Sequence, residues 1–137
     1  MNDCIFCKII SGEMNSAVIY ENEEFKVILD RFPTNIGHVL ILTKQHVANI
    51  FELDPEVGAR LFKLAVQIAN VMKKALDFEN MNIIQNNGVL AGQTISHFHL
   101  HLVPRYENDK VSIQFDQLDL TDEQIEDVRK KIAEKLF

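Results

Sequence analysis

The chain has no tryptophan, only two cysteines and no excess of positive charge among its 137 residues. No apolar run approaches the roughly 20 residues that a membrane-spanning helix requires, and Met1-Asn2-Asp3 lacks the basic-then-apolar pattern of a secretory signal. The expected address is therefore cytoplasmic, with no membrane partner. A formal net charge of −6, with acidic residues grouped around Glu21 to Glu24 and Asp116 to Asp127, leaves no basic stripe for a nucleic-acid backbone. A polymeric nucleic acid is excluded as a partner, whereas a mononucleotide is not, because small phosphates are held by local N–H groups rather than by overall charge. In a reducing compartment the single Cys4-x-x-Cys7 pair suits a metal site or a redox pair better than a structural disulfide. Without a βαβ context or a flanking tryptophan or proline, thioredoxin chemistry is not indicated, and two ordinary buried thiols are the plain alternative.

Against these scarcities stands one concentration. Three of the five histidines fall in His97-Phe98-His99-Leu100-His101-Leu102-Val103, where apolar and imidazole residues alternate with the period of two that marks a half-buried strand. Phe98, Leu100 and Leu102 are expected to face the core, and the imidazoles to form one row on the other face, their Cα atoms about 6.6 to 6.8 Å apart. A lone histidine is most often an ordinary core or surface residue. Three on one face compete for protons and give up hydrophobic positions to polar rings, so a chemical role is indicated.

The rest of the chain reads as one α+β domain of ordinary size, 47% hydrophobic and 25% charged, long enough to bury a core. Ala17 to Glu21 and Phe25 to Leu29 form a hairpin. His38-Val39-Leu40-Ile41-Leu42-Thr43 is a strand buried on both faces, with His38 read as scaffold at its start. Asp54-Pro55 begins a helix of about 22 residues, whose Val57, Leu61, Leu64, Ala65, Ile68, Val71, Met72 and Leu76 face the core while Arg60, Lys63, Lys73 and Lys74 point out. Met81 to Gln85 is another strand. The loop that follows it, Asn86-Asn87-Gly88 through Gly92-Gln93-Thr94, is too long for a plain turn and carries glycines that permit close approach to a ligand. Thr121 to Gln124 is a capping box opening a second amphipathic helix through Ile125, Val128, Ile132 and Leu136. Residues 107–120 carry no readable pattern.

At His97 to Val103 the chain resembles the histidine triad nucleotide hydrolases and transferases, whose signature of His, apolar, His, apolar, His, apolar, apolar is matched at every position. The resemblance runs from Cys4 to about Tyr106 and takes in Ile5 to Ile10, Asp30, Gly37-His38, Lys44-Gln45-His46 and the loop at 86–94, leaving 107–137 as a C-terminal extension. It implies a fold with an antiparallel sheet of about five strands, one long helix and a C-terminal helix, and a homodimer formed through the long helix and a strand. It also implies His99 as a nucleophile forming a covalent nucleotidyl intermediate, His101 contacting a non-bridging oxygen or helping protonate the leaving group, and His97 orienting. Asp30 would accept from the ribose hydroxyls, Asn86, Gln93 and Thr94 would serve the phosphate, and Phe6, Ile9 and Ile28, core residues on sequence alone, would sandwich a purine. The CxxC-bearing branch of the family adds a structural zinc on Cys4, Cys7, His46 and His97. The expected reaction is hydrolysis of a nucleoside 5′-phosphoramidate or a dinucleoside polyphosphate to a nucleoside monophosphate. His101 stands where the transferase branch carries glutamine and so favours hydrolysis. Met14-Asn15 and Thr43 depart from the usual Ile-Pro and Pro and touch loop geometry rather than catalytic atoms. Two other expectations compete: a hydrolase with catalytic zinc on the strand histidines, and a nucleotide-binding regulatory module without turnover.

Overall fold

The computed structural model describes residues 3–136. Its elements are α1 (Ile5–Ser11), β1 (Val18–Glu21), β2 (Phe25–Leu29), β3 (Val39–Thr43), α2 (Pro55–Leu76), β4 (Asn80–Ile84), a 3-10 turn (Val89–Ala91), β5 (His99–Arg105) and α3 (Asp122–Ala133). The five strands form one antiparallel sheet in the order β1-β2-β3-β5-β4, the α+β arrangement expected.

Strand alternation sorts the side chains onto two faces. On one, Val27, Val39, Ile41, Leu100 and Leu102 pack against Leu61, Leu64, Ala65, Ile68 and Met72 of α2, forming the main core with Phe25, Phe78 and Phe98. On the other, Ile28, Leu40 and Leu42 pack with Phe6 and Ile9 of α1. The β3–β5 register sets His101 opposite Leu40 and His99 opposite Leu42, so both imidazoles share the face that α1 covers. Asp54 caps α2 by accepting from the Glu56 N–H, and Pro55 follows it, at a position where its missing N–H costs nothing.

Several boundaries and burials differ from the sequence reading. β3 starts at Val39, β4 at Asn80 and β5 at His99. His97 lies in the bend before β5, where the Phe98 N–H donates to the Val47 carbonyl. Helix α1 was not expected. Its dense apolar residues show no helical period, and its seven residues are held by tertiary means: Cys4 caps its start, Gly12 with φ 85° ends it, and the buried Lys26 amine donates to the Ile9 carbonyl at 2.9 Å. Along α2, Val71 is 61% exposed and Leu76 40%, because Val71 sits at the edge of the buried stripe and Leu76 in the last turn. Helix α3 forms with its capping box, yet Ile125, Val128, Ile132 and Leu136 are all exposed.

Candidate active site and metal centre

The histidine row is built by β5 and the bend before it, with each ring fixed by a different carbonyl or ring. His97 is fully buried, and its Nε2 lies 2.6 Å from the Thr43 carbonyl. A carbonyl only accepts, so Nε2 carries the proton and Nδ1 presents a lone pair. That Nδ1 sits 3.4 Å from Cys4 Sγ, 3.6 Å from Cys7 Sγ and 3.1 Å from His46 Nδ1, and Cys7 Sγ is 3.2 Å from His46 Nδ1. One ligand atom from each of the four residues falls within 4.8 Å of the others. Zinc bonds of about 2.3 Å to sulfur and 2.0 to 2.1 Å to nitrogen imply tetrahedron edges of roughly 3.3 to 3.8 Å, close to these separations. The Cys2His2 donor set suits zinc and leaves it no open position. It ties α1, the loop after β3 and the triad bend together at one point.

His99 is oriented by the same argument. Its Nδ1 lies 2.7 Å from the His97 carbonyl, so Nδ1 carries the proton and Nε2 is unprotonated. Burial holds the pKa of His99 below the ordinary histidine value, which keeps this lone pair available at neutral pH. The edge of Phe6 rests on the ring at 4.9 Å between centroids.

His101 is fixed through His38. The Thr34 N–H donates to His38 Nδ1 at 3.0 Å, so neutral His38 carries its proton on Nε2. It donates to His101 Nδ1 at 2.9 Å, leaving the His101 proton on Nε2. Burial, with His99 and His38 alongside, pushes the His101 pKa down to about 4, and burial also lowers that of His38. His38, read from the sequence as scaffold, is thus in direct contact with the triad. Its one signal was a histidine next to Gly37 at the mouth of a strand buried throughout. Asp30, His38 and His101 also bring potential ligand atoms together. The Thr34 N–H on Nδ1 requires the proton on Nε2, however, and this removes His38 as a ligand in the neutral state.

A cavity of about 670 Å³ opens on this face, lined among others by Phe6, Ile9, Ile28, Asp30, Thr94, His99 and His101. Seven of the residues picked out in the sequence therefore converge on one space. Asp30 directly follows β2, its Oδ1 accepting the Phe32 N–H and its Oδ2 lying 3.6 Å from His38 Nε2. The loop after Asp30 is held by Asn35, which donates to the Pro104 carbonyl and to Asp109. Asn86 and Gln93 do not line the cavity. Gln93 braces the loop, accepting from the Gly88 N–H and donating to the Ala48 and Ile95 carbonyls. Gly88 and Gly92, with φ 97° and 91°, flank the 3-10 turn in a conformation L side chains rarely adopt. Among the described residues His97, His99 and His101 share no metal-ligand group, since the free nitrogen of His97 faces the cysteines while His99 turns its N–H back to the chain.

A strand carrying two histidines with a third in the bend before it, a nucleotide-sized cavity over them and a Cys2His2 cluster behind define a histidine triad domain. The family model described as the HIT domain matches residues 11–108, and the chain belongs to that family. It is 42% identical over 108 residues to an adenylylsulfatase of Arabidopsis thaliana, covering 79% of this chain and 55% of that protein. It is 32% identical over 134 residues to an adenosine 5′-monophosphoramidase of Schizosaccharomyces pombe, covering 97% and 98%. Among solved structures, a HIT family protein from Bacillus anthracis superposes with a TM-score of 0.93 at 36% identity over 99% of both chains, so the match takes in the C-terminal residues as well as the sheet. A zinc-bound histidine triad family protein from Mycobacterium smegmatis has a TM-score of 0.77 at 35% identity, covering 97% of this chain and 95% of that one. No helix among the described residues is long and apolar enough to cross a membrane.

Proposed function

We propose that the protein is a nucleotidyl hydrolase acting at the α-phosphorus of a purine nucleoside 5′-phosphoramidate or a dinucleoside polyphosphate. The observation that carries this reading is the His97 carbonyl on His99 Nδ1, which leaves Nε2 of a buried, neutral imidazole as a nucleophile beside the cavity. In the first step the Nε2 lone pair forms a bond to phosphorus. The bond from phosphorus to the leaving nitrogen or oxygen breaks with its electron pair, and the leaving group takes up a proton. In the second step water attacks phosphorus, its oxygen bonds there, its proton departs and the bond to Nε2 breaks. A nucleoside monophosphate and neutral His99 result.

His101, with its proton on Nε2, donates to a non-bridging phosphoryl oxygen or helps protonate the leaving group. His97 orients His99 through its carbonyl. Asp30 accepts from the ribose hydroxyls with the oxygen its turn leaves over. Phe6, Ile9 and Ile28 enclose the base, Thr94 faces the phosphate, and Asn86 and Gln93 serve the phosphate through the loop that Gln93 braces. Cys4, Cys7, His46 and His97 would hold a structural zinc, which when bound supplies a cross-link rather than a bound water. Free thiols at ligand distance suit a cytoplasmic setting. The exposed Phe62 and Val66 of α2 and the free edge of β4 support a homodimer through that helix and strand.

The test is release of AMP from adenosine 5′-phosphoramidate and from a diadenosine polyphosphate, with rapid-quench mass spectrometry of the protein. A one-nucleotidyl mass gain on His99 is expected, together with loss of turnover in His99→Ala. Undiminished turnover in that variant would sink the assignment.

A further inference from the structure

Residues 112–136 take no part in the sheet, the cavity over the triad or the Cys2His2 cluster. Each of them is exposed, and no hydrogen bond among the described residues joins them to the rest of the chain. The last such tie is Arg105 to the Val111 carbonyl. Yet this arm is rich in apolar side chains: Phe115 is 85% exposed, Leu118 83% and Ile132 65%. A 12-residue helix is marginal by itself in water, and chains that stay single rarely present so much apolar surface. Something outside the chain must cover it.

The arm nevertheless has a defined place. It is about a fifth of the sequence, and a superposition of the quality found with the Bacillus anthracis structure over 99% of both chains cannot be reached if that fifth points elsewhere. A segment that is exposed throughout and, among the described residues, makes no hydrogen bond to the rest of its own chain, yet keeps its disposition in a related chain of known structure, is held by a surface that accompanies both. A second copy of the chain is the one surface that always does. The chain also offers a receiving face. Beside the exposed Phe62 of α2, a largely apolar hollow of about 570 Å³ is lined by Ile50, Leu53 and Ile83. The outer side of α2 carries Lys63 and Lys74, with Arg60 and Lys73 paired to Glu24 and Glu79 of the same chain, whereas residues 116–127 hold Asp116, Asp119, Asp122, Glu123, Glu126 and Asp127 with no basic residue. Opposite charges therefore face one another if the arm crosses that helix. Reach is sufficient, since nine extended residues before α3 span about 30 Å, roughly the width of a small domain.

We propose that residues 112–136 are an exchanged arm that docks on the α2 face of a second copy of this chain, and that the dimer is incomplete without it. The inference rests on the homodimer put forward above. Its test uses the full chain with p-benzoylphenylalanine at Phe115, in a mixture of ¹⁴N- and ¹⁵N-labelled protein, alongside sedimentation equilibrium. Irradiation should give a two-chain adduct containing mixed-isotope peptide pairs that link position 115 to residues 55–76. Leu118→Asp with Ile132→Asp should raise the dimer dissociation constant at least tenfold while leaving the unfolding of the body unchanged. A dimer whose cross-links stay within one chain, or run outside α2, overturns the arm and leaves the dimer standing. So does an unaltered dissociation constant in the double variant. A wild-type monomer at micromolar concentration overturns both.

Discussion

Replacing His101 by glutamine should make the protein less sensitive to acid, and the size of the effect follows from the depressed pKa of its half-buried ring. Glutamine still offers an acceptor to the His38 Nε2–H, so the hydrogen bond at 2.9 Å is retained while the titrating group is removed. His101 has a folded-state pKa of about 4 against an ordinary 6.5, with burial as the main cause. A base whose folded pKa is depressed takes up a proton on unfolding. Its contribution to stability is therefore complete above about pH 6.5 and is lost as pH falls toward 4. Between pH 7.5 and pH 5 the loss from this one ring amounts to about 2 kcal/mol. Urea unfolding at the two pH values measures it, and with an m-value of 1 to 3 kcal/mol/M the midpoint should move by about 1 M. His38, His97 and His99 are shifted in the same direction and any bound zinc is released in acid, so the wild type will lose more than this in total. The His97 contribution and that of any zinc are common to both proteins, and the difference between wild type and His101→Gln reports the His101 ring together with its interaction with His38 and His99. Equal acid losses in the two proteins, within about 0.5 kcal/mol, would refute the claim that the half-buried His101 is held neutral.

The other predictions concern the groups around the triad. Purified protein should carry about one zinc per chain on the four-ligand arrangement. Cys4→Ser with Cys7→Ser should lose it and melt at lower temperature while retaining measurable turnover, as elemental analysis and AMP release will show. Activity that instead falls and returns in step with added zinc would favour a catalytic metal. His38→Phe keeps a ring in place but removes the donor to His101 and the acceptor for the Thr34 N–H. It should cost about 1 to 3 kcal/mol of stability and lower kcat about tenfold with little change in KM, and an unaltered kcat would show that His101 needs no such orientation. Gln93→Ala breaks three hydrogen bonds of the loop over the triad. It should raise KM about tenfold, equivalent to about 1.4 kcal/mol of lost binding, and a KM matching wild type would remove the loop from substrate binding.

The sequence by itself determined whatever depends on local periodicity and chain connectivity. Alternation along residues 97–103 assigned opposite faces to the leucines and the imidazoles, and a period of 3.6 residues with an aspartate-proline start defined α2 from Pro55 to Leu76. The family pattern carried the Cys2His2 group and the cavity residues. Tertiary structure decided what depends on contacts between distant residues. Which nitrogen of each histidine bears a proton is settled by the Thr43 and His97 carbonyls and by Thr34 acting through His38. These are backbone groups that leave no trace in composition. Helix α1 is made by its cysteine cap, its glycine end and a lysine from β2, and seven residues are too few to show a period. The apolar stripe of α3 was legible, but its burial was not, because amphipathicity states that a face requires cover and says nothing of which chain provides it.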